Sequence, residues 1–166
     1  QRVADAMVAE GTPFTGVLYG GLMKTPQGIK VIEFNARFGD PETEVVLPRL
    51  KSDAVDLFMA VANNEQPAAE WSEGATLGIV LASKGYPGSY DKGAVIRGTE
   101  RVESKIYHMG TAKRDGELVT AGGRVMIVVA EAATLREAQQ KAEADVALIE
   151  CDNLFHRTDI GAKAFK

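Results

Sequence analysis

Glu33, Asn35, Arg37, Asp40 and Glu42 crowd into the run Glu33-Phe34-Asn35-Ala36-Arg37-Phe38-Gly39-Asp40-Pro41-Glu42, and their types point to oxygen-ligand and anion chemistry. If residues 30–35 form a strand, alternation sets Val31, Glu33 and Asn35 on one face and Lys30, Ile32 and Phe34 on the other. A carboxylate and a carboxamide then project side by side. Mg2+ takes one or two such protein oxygens and completes its octahedron with water and nucleotide phosphate oxygens, so the pair suits a Mg-nucleotide site. Any strand with one solvated face shows the same i, i+2 spacing, so the neighbouring loop has to decide between the two readings. There Arg37 offers a planar fork of donors to a phosphate or carboxylate, with pairing to Asp40 or Glu42 as the alternative. Asp40 and Glu42 can orient a cationic amine; alternatively Asp40 caps a helix entered through Pro41.

The elements that must hold these side chains can be read from the flanking sequence. Residues 14–23 are rich in β-formers and Gly, and Thr25-Pro26-Gln27-Gly28 is turn chemistry, so an extended run over 30–35 makes the second strand of a hairpin. Ser52 is a candidate cap for a helix whose Ala54, Leu57, Phe58 and Val61 follow the spacing of a buried stripe. Residues 63–74 lose periodicity and collect polar residues, Pro and Gly, which marks a connection ending near Ala75. Beyond it, strands are expected over 76–83, 94–97, 105–109, 117–120 and 124–130, separated by Gly-rich or Asp-Gly turns. A helix follows, with Thr134 as cap, Glu137 as its capping-box partner, and Leu135, Ala138, Ala142, Val146 and Ile149 on one face.

Bulk composition narrows the classes. With 45% hydrophobic and 25% charged residues the chain can bury a core, and a net charge of -4 supplies no basic footprint for nucleic acid or an anionic membrane. No apolar run approaches the roughly 20 residues of a membrane span. The single Cys151 allows no internal disulfide, which fits a reducing cytoplasm. The opening Gln1-Arg2-Val3-Ala4-Asp5-Ala6 lacks Met and a helix cap, so the chain is expected to begin mid-protein.

Other singled-out residues read as structural. Lys51 and Ser52 could reach a phosphate, but Ser52 already serves as a cap. His108 lies in an apolar strand pattern and His156 near the C-terminus, neither beside an obvious nucleophile. Gly122-Gly123-Arg124 precedes no helix and so reads as a strand turn rather than a phosphate cradle. Trp71 is expected to anchor the connection by packing, and Cys151 has no activating neighbour.

The run from Glu33 through Thr43 resembles the signature of the glycinamide ribonucleotide synthetases, or phosphoribosylamine-glycine ligases, of the ATP-grasp superfamily. Residues 14–23 and 47–53 resemble the segments flanking that signature. Gly85-Tyr86-Pro87-Gly88, Gly110-Thr111, Thr120-Ala121-Gly122-Gly123-Arg124-Val125 and Arg157-Thr158-Asp159-Ile160-Gly161 resemble landmarks of the family's C-terminal domain. The resemblance covers essentially the whole chain. It implies an α+β fold: the C-terminal portion of an ATP-grasp domain over 1–63, a connection over 64–74, and a small, mainly antiparallel β domain with a packing helix over 75–166.

It further implies ligation of glycine to 5-phosphoribosylamine with conversion of ATP to ADP and phosphate, through glycyl phosphate. On that basis Glu33 and Asn35 match ligands of Mg2+ or Mn2+. Beside that match, the residue types make Arg37 the candidate catalytic and cofactor-binding residue and Asp40 and Glu42 the candidate substrate-binding residues. The family's amino-terminal portion is not in this sequence, so these residues alone are expected to be inactive. Two rivals stand beside this reading: another ATP-grasp carboxylate-amine ligase, and a non-catalytic binding or assembly module.

Overall fold

The computed structural model describes residues 2–165. The chain forms two compact units, one of Gln1–Thr43 with Leu50–Ser72 and the other of Glu44–Arg49 with Glu73–Lys166. The first contains helix α1 (Arg2–Ala9), strands β1 (Tyr19–Thr25) and β2 (Gly28–Asn35), and helix α3 (Ala54–Ala62). A short helix α2 (Glu42–Val46) begins in the first unit and ends in the second.

β1 and β2 pair antiparallel as the turn chemistry predicts, and the Thr25 hydroxyl closes the turn by donating to the Gly28 carbonyl at 2.8 Å. The ladder is not regular. Gly21 pairs with Glu33 and Leu22 with Val31, so Ile32 is an extra residue on β2. This bulge corrects the simple alternation expected for the strand: Glu33 and Asn35 share a face, but Val31 falls on the opposite face with Phe34, and Lys30 joins the acidic one.

The cap of α3 is also corrected. Asp53, not Ser52, accepts from the backbone N–H groups of Val55 and Asp56 at 2.7 and 3.1 Å. The Ser52 hydroxyl instead accepts from the Glu70 N–H at 2.8 Å, and Lys51 N–H donates to the Glu70 carbonyl, beside a bridge between Leu50 and Trp71. Trp71 thus ties the segment through its backbone, while its side chain stays 44% exposed rather than packed.

In the second unit, antiparallel pairing gives the order β4 (Lys105–His108), β7 (Arg124–Ala132), β3 (Ala75–Ser83), β8 (Leu154–Phe155). A separate hairpin joins β5 (Thr111–Arg114) to β6 (Glu117–Thr120) through Asp115-Gly116, both at positive φ. Helix α4 (Leu135–Val146) carries the expected capping box of Thr134 and Glu137. Its Ala138, Ala142 and Val146 pack into a core with Ile79, Leu81, Val125, Met126 and Val128. Small side chains on the helix let it lie close on the sheet.

Residues 94–97 form no strand; Val95 and Arg97 make isolated bridges to Val119 and Glu150 instead. One run of backbone is there shared between two short partners, so no continuous ladder develops. β5 was not anticipated, because its Thr-Ala-Lys-Arg sequence has no apolar alternation. His108 contacts the Thr111 hydroxyl at 3.0 Å, and His156 contacts Glu143 at 3.1 Å.

Asp145 is a buried carboxylate on α4 that accepts from the backbone N–H groups of Glu103 and Ser104 at 3.3 and 3.0 Å. Asp145→Ala leaves both partly buried donors without this acceptor and is expected to cost about 1–3 kcal/mol, measured by urea unfolding. No helix among the described residues is long and apolar enough to cross a membrane.

Candidate functional site

The hairpin and the loop after it place the sequence-predicted residues of the first unit around one strand end. Glu33 lies opposite Gly21 and Asn35 opposite Tyr19, all four on one face. The Asn35 carboxamide donates to Glu33 Oε1 at 3.0 Å, which orients its amide and leaves the Asn35 carbonyl oxygen free to face a ligand. A Cβ at Gly21 would stand 3.1 Å from Glu33 Cγ, so a larger residue there would displace the Glu33 side chain slightly.

The donor set fits a hard cation. Both groups are exposed or half-buried and offer oxygen, as Mg2+ or Mn2+ coordination asks. Among the described residues no group of three or more His, Cys, Asp or Glu could hold a metal ion. The pair therefore suits a cation whose remaining ligands are phosphate and water, rather than a closed protein cage.

Arg37 donates Nη1 to the Phe38 carbonyl at 2.8 Å, folding the guanidinium along its own loop. A guanidinium has five N–H donors, so this bond still leaves a fork for an anion. The loop is anchored by Phe38, whose ring meets Phe58 of α3 at 6.0 Å between centroids. Beyond it, Gly39 starts the turn into α2, its carbonyl accepting from the Thr43 N–H at 3.0 Å and from the Thr43 hydroxyl. The Glu42 carboxylate folds over Gly39, where any Cβ would collide with it. Asp40 is exposed at the start of this turn.

Tyr19, which the sequence reading did not single out, lies at the same strand end, opposite Asn35. Desolvation and the nearby Glu42 and Glu33 carboxylates raise its pKa above the ordinary 10.0. Counting back from the turn pair Thr25 and Gly28, a regular ladder would set Tyr19 against Phe34. The extra Ile32 moves its partner to Asn35. The signal that could have found it was the tyrosine in the strand before the acidic pair, but only with the bulge known.

With this geometry in place, likeness to known proteins becomes informative. A family profile described as phosphoribosylglycinamide synthetase, C domain, matches residues 76–163, more than half of the chain, and the profile of that synthetase's ATP-grasp (A) domain matches residues 1–43. The chain belongs to the phosphoribosylglycinamide synthetase family. Within this family, a phosphoribosylamine--glycine ligase of Halalkalibacterium halodurans is 54% identical over 163 residues, covering 97% of this chain and 38% of that protein. The trifunctional purine biosynthetic protein adenosine-3 of Gallus gallus is 44% identical over 170 residues, covering 99% of this chain and 17% of that protein. The crystal structure of a phosphoribosylamine--glycine ligase from Thermotoga maritima matches with a TM-score of 0.82 and 33% identity, over 93% of this chain and 39% of that one. The chain thus spans well under half the length of the relatives it matches.

Proposed function

We propose that this chain forms part of the active site of an ATP-dependent, cytoplasmic ligase of purine biosynthesis. That ligase joins glycine to 5-phosphoribosylamine and yields glycinamide ribonucleotide, ADP and phosphate. The observation that carries the reading is the Glu33–Asn35 pair on one face of β2, next to the Arg37–Glu42 loop, in a chain whose relatives bear that ligase's name.

In this reading the chemistry runs in two steps. The glycine carboxylate takes the γ-phosphoryl group of ATP to give glycyl phosphate and ADP; the amine of phosphoribosylamine then attacks the acyl carbon, phosphate leaves and a proton is released. Glu33 and Asn35 would hold Mg2+ or Mn2+, which when bound would supply charge neutralisation for phosphoryl transfer. Arg37 holds a phosphate or the reacting carboxylate by charge-assisted hydrogen bonds. Asp40 and Glu42 receive the ammonium of glycine or the amine nucleophile. Most of the catalytic effect on this side is positioning.

The remaining part of the ligase is the required partner. Leu22, Met23, Ile29, Val31, Ile32 and Phe34 on the hairpin are 47–62% exposed, apolar side chains that another part of the protein can cover. The rest of the ATP-grasp domain would cover it and enclose the nucleotide, excluding water that otherwise screens the site. The test is a steady-state assay with ATP, glycine and phosphoribosylamine, run on a polypeptide carrying the full family length and on these residues alone. Turnover is expected only in the first and only with a divalent cation. Absence of glycine-dependent ADP release in the full-length protein, or full turnover by these residues alone, would sink the proposal.

A further inference from the structure

We propose that residues 156–165 form a strap that opens as a unit from helix α4 and gates an apolar cavity at its base, with the Glu143–His156 pair as the latch.

The sequence of α4 provides three holding points on one face. Arg136, Gln139 and Glu143 are spaced three and four residues apart, which aligns them along the helix. Each takes one point of the C-terminal segment, in reverse order. A Glu143 carboxylate oxygen lies 3.1 Å from His156 Nε2, Gln139 Nε2 donates to the Ile160 carbonyl at 2.6 Å, and the Arg136 guanidinium stands 4.4 Å from the centre of the Phe165 ring. The segment therefore runs antiparallel to α4. Ile160 packs against the core, and the Gly161 backbone comes so near Leu77 that a Cβ there would stand 2.9 Å from its Cδ1.

This attachment differs in kind from that of the sheet. β7 is laddered to β3 along its whole length, whereas β8 meets β3 at Leu154 and Phe155. Beyond Phe155, the Ala162 and Ala164 N–H groups turn back to the Asp159 and Gly161 carbonyls within the segment, and the bonds that reach α4 come from its side chains. A segment held by a few side-chain bonds opens at a smaller free-energy cost than a core strand. The Glu143–His156 pair is the tie nearest the fixed end at β8. Its side chains are 37% and 23% exposed, so water competes for it less than for a surface pair. At the same end lies a cavity of about 220 Å3 walled by Leu81, Val146, Ile149 and Leu154, with Cys151 and the latch pair also in its lining. Because His156 is part of that wall, its release widens the way in for a small apolar molecule.

In a polypeptide of the full family length, hydrogen exchange followed by mass spectrometry should show the amides of 156–165 opening under native conditions while those of β7 stay protected. Glu143→Gln and His156→Gln should each speed strap exchange by about 3- to 10-fold, as loss of one partly shielded hydrogen bond implies, and the double variant by no more than the larger single one. Alkylation of Cys151 by N-ethylmaleimide, read on its own peptide, should accelerate by the same factor. Lys105→Ala, which breaks an exposed ion pair with Glu131 on the sheet, should change neither rate. Exchange of 156–165 in step with β7, unchanged exchange in both latch variants, or a parallel rise across β7 and α4 would overturn the strap. A Cys151 rate that stays constant while strap exchange rises would overturn the gate.

Discussion

If Glu33 binds the cation as proposed, Glu33→Ala in a polypeptide of the full family length is expected to lower kcat/KM by about 100-fold or more, since even residues that merely orient metal ligands cost 10–100-fold when removed. The loss follows from charge as much as from geometry. Of the two donors on this face only Glu33 is anionic, and Asn35 loses the acceptor that orients its amide at the same time. Raising the Mg2+ concentration should recover part of the activity. Stability should move by no more than about 0.5 kcal/mol, because the side chain is exposed and strand pairing with Gly21 is through the backbone. Steady-state kinetics across a Mg2+ series, with thermal unfolding as the control, checks this. Activity within threefold of wild type at low Mg2+ would remove Glu33 from the metal site.

Ile79→Ala carries the largest expected effect on stability, about 2–5 kcal/mol. Ile79 is completely buried in β3, paired with Val128 and surrounded by the core that α4 closes. The residues beside it are themselves branched and locked in strands, so the vacated volume cannot collapse easily. Urea unfolding followed by far-UV circular dichroism should show a lowered midpoint with an unchanged slope. A loss below about 1 kcal/mol would mean that the interior around β3 repacks freely.

What the sequence made legible divides along the range of the interactions involved. The turn at Pro26-Gln27, the capping box of Thr134 with Glu137 and the stripe of Ala138, Ala142 and Val146 depend on residues within a few positions of one another, and each was readable in advance. The adjacency of Glu33 and Asn35 was readable for the same reason. What was missed depends on distant partners. Ser52 and Asp53 are both good caps by type, and the choice between them turns on Glu70, whose N–H engages the serine. Residues 94–97 have the composition of a strand, but their partners 119 and 150 are single residues on separate segments. Tyr19 belongs beside the acidic pair only because of its cross-strand register.

The extra residue at Ile32 changes the phase of the ladder between the two ends of the hairpin. Below it, the tip pairs 22–25 with 28–31; above it, the mouth pairs 19–21 with 33–35 in the opposite phase. Changes in which face of the tip is apolar therefore do not propagate to the end that carries Glu33 and Asn35.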